Sequence, residues 1–493
     1  MYIGIDNGGT LCKAVLFDNK GKEICSASEE LIMITPASGH TERDMEELWQ
    51  ANCRVIRSVM EKSKADPADI KGVAFSGHGK GLYLIGKDGK PAMNGVVSTD
   101  GRAWEYPERW NNDGTADKVF EKTFQSILAC QPVSLLCWLR DNKPEVFSNI
   151  KWIFGCKDYV RYRMTGEAYA EMTDISGTSL LNLSTRQFDK ELLALYGLES
   201  VWDALPPIKR SFDECGKVTA ETAKLTGLAE GTVVAGGMFD IDSCAIAMDI
   251  TSDENIAVIA GTWSINEYIS KEPVLNKSVM MNSIYCMDEY YLVEECSPTS
   301  AGNLKWFMET FMPYVESYDE FNVLAESVRP DEQNIIFLPY LFGSNYDPQA
   351  KATLIGLDSH HTKNHIARSI FEGVCFCHKV HIEKLLKNRD STRAIRLAGG
   401  AAKSKLWVQL FADIIELPVE VIETEELGAL GAAMAAAVAA GEYVDFIQAA
   451  KAMVRVKSGA TPNEKTFDAY RKKYDLYKKV SESLSTHWGD FNV

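Results

Sequence analysis

Two apolar, strand-like runs in this chain each end in a turn built on Gly-Thr. They are Gly4-Ile-Asp-Asn-Gly-Gly-Thr10 at the start and Ala260-Gly-Thr-Trp-Ser264 past the middle. Backbone N–H groups in such turns converge on an anion, and glycine lets the chain approach a phosphate closely. Gly236-Gly-Met-Phe-Asp240 lies between the two turns, and Leu397-Ala-Gly-Gly-Ala-Ala-Lys-Ser404 follows both. Two phosphate-type turns, an aspartate between them and a later glycine pair describe a nucleotide gripped from two sides. The chemistry that follows is phosphoryl transfer.

The surrounding pattern is that of an α/β fold. Tyr2–Asp6 and Cys12–Phe17 read as a β-hairpin. Trp49, Val55, Ile56 and Val59 then fall at helical spacing, and Ile70–Phe75 is a strand ending at Ser76-Gly-His-Gly-Lys-Gly-Leu82. Alternating strands and helices place ligands at strand ends. The second half repeats the opening, with Ile256–Ala260 as strand, Gly261-Thr262 as turn and Trp263–Ile269 as returning strand. A chain of 493 residues exceeds one hydrophobic core. The repeat therefore predicts two domains of related fold facing one another, residues 1–246 and 247–493. Later, Ile335–Leu341 is a strand leading to Gly343-Ser-Asn-Tyr346, Ala394–Leu397 another leading to Gly399-Gly400, and Lys405–Glu416 a helix. The run Gly428–Gly441 is so rich in Ala and Gly that it must pack closely. Phe467–Leu484 reads as an amphipathic helix carrying Phe467, Tyr470, Tyr474 and Tyr477, its lysines forming a solvated face.

Composition removes several function classes. With 52 basic against 69 acidic residues the net charge is −17, so the chain lacks the basic field of a nucleic-acid binder. Phosphorylated ligands must then be held locally, by backbone amides, a metal or a few placed cations. No stretch approaches the roughly 20 apolar residues of a membrane helix. The opening residues have neither a charged n-region nor a long apolar run, which predicts no secretory leader. Twelve cysteines without framework spacing read as reduced core residues of a cytoplasmic protein. Cys375-Phe-Cys377-His378 invites a metal reading, but it lies within the helical pattern Ile366, Ile370, Val374, Cys377, and no second ligand pair follows at zinc-site spacing. Core packing is the expected role. Neither a Walker P-loop nor a dinucleotide fingerprint occurs.

These segments resemble the FGGY family of carbohydrate kinases, within the actin-like ATPase superfamily. The resemblance rests on the first turn and Gly231-Thr-Val-Val-Ala-Gly-Gly-Met-Phe-Asp240, followed by Ile259-Ala-Gly-Thr-Trp263 and Pro339-Tyr-Leu-Phe-Gly343. It continues through the run Leu397–Asp413 and Glu426-Leu-Gly-Ala-Leu-Gly-Ala-Ala433. It implies two actin-like (ribonuclease H-like) ATPase domains facing a central cleft, with ATP and Mg²⁺ required and a sugar hydroxyl as acceptor. Asp240 is the expected catalytic base, selected by its spacing from Gly231; a helix N-cap is the alternative role, and Asp242 suits a cap at least as well. Asp6 is expected to hold Mg²⁺ through water, or else to cap the turn amides. Gly8, Gly9, Thr10, Gly261 and Thr262 are the expected phosphate contacts. Gly399, Gly400 and Ala401 are expected beside adenine and ribose, with Ser404 at the mouth of the next helix. His78, Lys80, Asp100 and Arg102 are the expected sugar contacts, with ion pairing as the alternative for each.

Two departures bear on the sugar. Gly79-Lys80 does not reproduce the Arg-Glu pair of glycerol kinases, and Leu135 stands where the family signature has lysine. Finer segments, among them Gly79–Leu82, Ser98–Ala103, Pro132–Leu136 and Ser297–Leu304, are similar to family members acting on L-xylulose. That ketose is the expected substrate. D-xylulose, ribulose and keto-acid sugars remain open, as does a non-catalytic nucleotide-binding regulator. The expected partners are a small sugar and ATP, with neither nucleic acid nor membrane, and a homodimer stays open.

Overall fold

In the opening hairpin, β1 (Tyr2–Asn7) pairs antiparallel with β2 (Leu11–Phe17). Ile3, Ile5, Ala14 and Leu16 enter one apolar cluster while Tyr2, Val15 and Phe17 enter another. Alternation along the strand thus buries both faces, which is why the run is apolar throughout. The computed structural model describes residues 1–344 and 346–491; Asn345, within the Gly343–Tyr346 segment, and the last two residues of the 247–493 half lie outside the described residues.

The first sheet also contains β3 (Glu23–Glu30), β4 (Gly72–Gly77), β5 (Glu214–Lys217), β6 (Val233–Ala235) and β7 (Met238–Phe239). Its order is β5-β6-β4-β1-β2-β3, with β7 beside β4. The second sheet is formed by β8 (Asn255–Ala260), β9 (Ser264–Ser270), β10 (Met281–Ile284), β11 (Tyr291–Ser297), β12 (Ala394–Ala398), β13 (Val419–Ile422) and β14 (Val456–Ala460), in the order β10-β11-β9-β8-β12-β13-β14. Read outward from each hairpin, β3-β2-β1-β4-β6-β5 and β11-β9-β8-β12-β13-β14 match strand for strand. In both, the hairpin and its outer neighbour are antiparallel, the next two strands are parallel and the last is antiparallel. The short internal echo in sequence is the trace of this repeated topology.

Helices fill three layers around the two sheets. On the outer face of the first sheet lies α1 (Met45–Ser63), begun by Asp44, whose carboxylate accepts the Glu47 N–H at 2.9 Å. Its Trp49, Val55, Ile56 and Val59 are buried, each stabilising by about 1.5–3 kcal/mol relative to exposure. Between the sheets lies a layer containing α2 (Asp240–Ala247). The second sheet carries α3 (Gly302–Phe311), α4 (Lys363–Leu386) and α5 (Lys405–Ile415). The next helix, α6 (Leu427–Ala439), leaves that sheet and packs on β1 and β4 of the first, alongside α2. Its small residues make this possible: a Cβ on Gly4 would stand 1.8 Å from the Ala429 carbonyl oxygen, and one on Gly431 would stand 2.2 Å from that of Ser243. The Ala/Gly run packs as closely as its composition requires. The chain closes with α7 (Phe467–Ser485), whose Tyr470, Tyr474 and Tyr477 join the core of the second half. Its lysines do not all face solvent as expected. Lys473 is buried and pairs with Glu372 at 2.8 Å, because the tyrosine stripe carries it inward beside that carboxylate.

Residues between β4 and β5 build a separate apolar cluster running from Leu82 to Leu205. Among the described residues no cysteine forms a disulfide, and Cys375, Cys377 and His378 are buried on α4, in keeping with core packing. Among the described residues no helix is long and apolar enough to cross a membrane.

Candidate active site

The parallel strands of the first sheet deliver their C-terminal ends to one edge. Asp6 lies opposite Ser76 and Asn7 opposite Gly77, while Phe239 of β7 also aligns with Gly77. Asp6, His78 and Asp240 follow from these ends, as expected for ligand groups in an open α/β sheet. The first turn leaves Thr10 exposed and closes with a Gly8 N–H to Leu11 carbonyl bond of 3.0 Å. Its carbonyls are held from beneath by Arg43, buried just before α1, whose guanidinium donates to Gly8 at 3.5 Å and also to Gly9. Sequence reasoning missed Arg43. The only local signal was a charged Glu-Arg pair ahead of a helix cap.

Asp240 is the first residue of α2 and is partly exposed. The cap of α2 is Phe239, and no side chain caps the helix, so neither Asp240 nor Asp242 plays that alternative role. Burial and the nearby Asp6 carboxylate push the Asp240 pKa well above its usual value, while Lys80 opposes the rise. Asp6 is pushed up to about 6, chiefly by burial, and its Oδ1 has no hydrogen-bond partner. Asp242 is fully buried with both oxygens unpartnered, as are those of Glu267, which faces Glu294 directly across β9 and β11. A buried network locks the segment ahead of Asp240. Arg161 donates to the Gly236 carbonyl at 2.6 Å, and the Phe239 N–H donates to Thr173 Oγ1 at 2.9 Å. Thr173 in turn donates to Glu171, which lies 3.2 Å from the fully buried Lys157 ammonium. This network joins residues scattered along the chain, and nothing in the local pattern announced it.

The four expected sugar contacts fall into two pairs. His78 follows β4; its Nε2 lies 3.0 Å from the Tyr83 hydroxyl, and burial, with help from Arg43, pushes its pKa down to about 4, keeping it neutral. Lys80 has a left-handed backbone, φ 62°, and its ammonium lies 5.7 Å from the Phe239 ring centre. Burial opposes its charge, but Glu294, the Cys296 and Cys130 sulfurs and Asp240 more than offset this and raise its pKa. Asp100 and Arg102 instead engage each other. Arg102 Nε and Nη2 donate to the two Asp100 oxygens at 2.9 and 2.8 Å, and Nη2 also lies 2.9 Å from Glu42. This is a buried fork rather than a surface ion pair. Arg102 Nη1 is left buried and without a partner.

On the nucleotide side, Thr262 is exposed beyond β8, and the Gly302 N–H donates to the Gly261 carbonyl at 3.1 Å. Gly399 takes φ 84°, and a Cβ there would stand 2.6 Å from the Ala260 carbonyl oxygen. Glycine at this position lets the loop after β12 lie directly against the second turn. Gly400 is exposed, whereas the Ala401 side chain is buried. Ser404 caps α5: its hydroxyl accepts the Trp407 N–H at 3.2 Å and donates to Asn322 at 2.8 Å. A cavity of about 820 Å³ opens here, lined by Gly399, Gly400, Lys403, Glu425 and, from the first half, Lys13. Lys13 lies opposite Asp6 in the hairpin and pairs with Glu426 at 2.8 Å, so the cavity reaches toward the first turn.

Matched sheets, each presenting a Gly-Thr turn, with an aspartate at the start of a helix between them, define an actin-like phosphotransferase. Residues 1–247 match the N-terminal domain, and residues 256–440 the C-terminal domain, of the FGGY family of carbohydrate kinases. The chain belongs to that family and acts on a sugar hydroxyl, with ATP as co-substrate. It is 36% identical to a probable L-xylulose kinase of Pasteurella multocida, over 98% of this chain and 99% of the relative. It is 35% identical to the L-xylulose/3-keto-L-gulonate kinase of Escherichia coli, over 98% and 97%. The crystal structure of ligand-bound xylulose kinase from Lactobacillus acidophilus matches with a TM-score of 0.93 at 27% identity, covering 100% of this chain and 99% of that one.

Proposed function

We propose that this chain is a Mg·ATP-dependent kinase phosphorylating a terminal hydroxyl of a small ketose, L-xylulose before others, with Asp240 as general base. The observation that carries the reading is Asp240 itself, partly exposed at the edge where β1, β4 and β7 end, with Asp6 and Lys80 as its charged neighbours. The sugar hydroxyl gives its proton to an Asp240 oxygen as its own oxygen bonds to the γ-phosphorus. The bond from phosphorus to the β–γ bridging oxygen breaks, and ADP leaves. A carboxylate whose pKa is raised by burial is a better proton acceptor, and such assistance is worth about 10²–10⁴-fold.

The remaining roles follow from chemistry and position. The turns Gly8-Gly9-Thr10 and Gly261-Thr262 bind phosphate oxygens, while Gly399, Gly400 and Ala401 border the adenosine. Ser404 acts by capping α5. Asp6 fits a divalent cation, because its unpartnered Oδ1 suits a ligand that prefers oxygen and retains water. Mg²⁺ held there supplies positive charge to the transferring group. His78, Lys80 and the free Arg102 Nη1 bind sugar oxygens, Asp100 holding Arg102 in place. The division at 246/247 separates a sugar-binding half from an ATP-binding half, and closure between them excludes water. The chain acts in the cytoplasm, a compartment supported by cysteines that form no disulfide among the described residues. Its partners are sugar and ATP rather than nucleic acid or membrane.

The choice of L-xylulose rests on the names of the Pasteurella and Escherichia relatives. A keto-acid sugar is the second reading, favoured by the Lys80 ammonium, which suits a substrate carboxylate. The test is ADP release with Mg·ATP across ketoses, keto-acid sugars, aldoses and polyols, with Asp240→Asn alongside. Preference for L-xylulose, lost in the variant, is the expected result. Preference for a keto-acid sugar moves the substrate and keeps the base. Tight ATP binding without sugar-dependent turnover overturns the kinase reading in favour of a nucleotide-binding regulator.

A further inference from the structure

Within the Cys375–His378 cluster, the His378 side chain joins a polar network. It is fully buried on α4, its ring set against the edge of Phe411 with centres 5.2 Å apart. Three hydrogen-bonding groups from two other segments converge on it. Nδ1 lies 2.8 Å from Asn266 Oδ1 and 3.1 Å from Ser264 Oγ, both on β9, and Nε2 lies 2.7 Å from Ser300 Oγ, just ahead of α3. The network assigns the tautomer. The Asn266 amide donates to the Glu295 carbonyl at 3.2 Å and to Ser264 Oγ at 3.1 Å, so its oxygen faces His378 as an acceptor. Nδ1 therefore carries the proton, and Nε2 accepts from Ser300. Burial, followed by the neighbouring His381, pushes the ring's pKa down to about 3, which keeps this neutral form at any physiological pH.

The two segments joined by His378 border the second phosphate turn from both sides. Ser264 is the residue at which the turn re-enters β9, and Ser300 lies two residues before Gly302, whose N–H donates to Gly261. Asn303 ties the same loop internally, donating to the Ser300 carbonyl at 2.9 Å and to Thr299 Oγ1 at 2.7 Å. The turn has little packing of its own. Thr262 and Trp263 are exposed, and a Cβ on Gly261 would meet no atom within 4 Å. Its position depends on what its stems are fastened to.

We propose that His378 is a positioning residue for phosphoryl transfer, fixing the Gly261-Thr262 turn at one spacing from the Ser300–Gly302 loop that opens α3. This rests on the reading of Gly261-Thr262 as a phosphate turn. A displacement of about 1 Å in such a group costs about 10²-fold in rate without touching the reacting atoms.

The test compares His378→Phe, His378→Gln and Ser300→Ala with wild type. It measures kcat, KM for sugar and for ATP, and calorimetric affinity for β,γ-imido-ATP and for adenosine. In His378→Phe, kcat is expected to fall about 10²-fold, with sugar KM and adenosine affinity unchanged and imido-ATP affinity weakened. Ser300→Ala removes a single hydroxyl and leaves the core intact; it should move the same quantities in the same direction by about tenfold, the value of one hydrogen bond. His378→Gln, which keeps a donor and an acceptor, should recover much of the loss. Wild-type kcat and imido-ATP affinity in both His378→Phe and Ser300→Ala would overturn the proposal. So would an equal weakening of adenosine and imido-ATP, since that reports general damage rather than a displaced turn. If wild type releases no ADP with any sugar, the kinase reading fails, and the contrast between imido-ATP and adenosine still decides the role of His378.

Discussion

The Gly8-Gly9-Thr10 turn and the Gly261-Thr262 turn occupy the same place in two sheets of matching topology, yet they are fastened differently. The first has a permanent cation beneath it, Arg43, which binds turn carbonyls directly. The second has a neutral imidazole two layers of hydrogen bonds away, reached through Ser264 and Ser300. The surroundings account for the difference. The first turn stands among charged groups, Asp6, Glu426 and Lys13, in keeping with a charged fastener. Around the second turn the network is built from serines and amides, where a neutral ring with one donor and one acceptor satisfies every partner and a charged one would not. Repeated topology thus preserves the position of a turn without preserving the means of holding it.

Asp240→Asn acts on the reaction both turns serve and should have the largest effect. The expected loss in kcat is about 10²–10⁴-fold with ATP affinity retained; a loss below tenfold would move the base elsewhere. Asp6→Asn probes the acidic side of the first turn. Because folding raises the Asp6 pKa to about 6, its contribution to stability is full below the unfolded value and is lost as pH rises through 6. The substitution should therefore change little at pH 3.5 and stabilise the metal-free protein by about 2–3 kcal/mol at pH 7.5. Equal effects at both pH values in urea titrations would show that Asp6 is not held in that environment. Arg43→Gln unfastens the first turn alone, at a cost of about 1.5–3 kcal/mol. Emission from Trp263, exposed in the second turn, should stay constant in that variant, and a shift would mean that the two turns are coupled. Gly261→Ala should have the smallest effect on folding, within about 0.5 kcal/mol, because the space around it is open. Gly4→Ala, which would drive a methyl group into the Ala429 carbonyl, makes the contrasting control.

Much of this molecule was legible from local pattern. Strand, turn and strand could be read at Tyr2–Phe17 and again at Ile256–Ile269, because both faces of these strands are buried. The glycines that permit close approach, such as Gly399 against Ala260, also stood out, since only a residue without a side chain fits there. Illegible were the partners brought together from distant positions. Arg43 beneath Gly9, Arg161 on Gly236, Glu42 on Arg102 and His378 between two loops are ordinary residues until the fold gives them a neighbour. Asp100 and Arg102 show the limit from the other side. They were singled out as charged groups following strand-like segments, but their mutual fork, which leaves a single free nitrogen, depends on side-chain geometry that spacing does not encode.

The placement of α6 also has a consequence for synthesis. This helix covers β1 and β4, strands made among the first 77 residues, yet its last residue is Ala439. At about 5–20 residues per second, the ribosome leaves the inner face of the first sheet waiting on the order of tens of seconds for its cover. During that interval Tyr2, Val15, Phe17 and Ala74 lack the apolar layer that buries them in the finished protein. The N-terminal half is thus committed early and completed late, and a nascent chain stalled before residue 427 should present that face to chaperones.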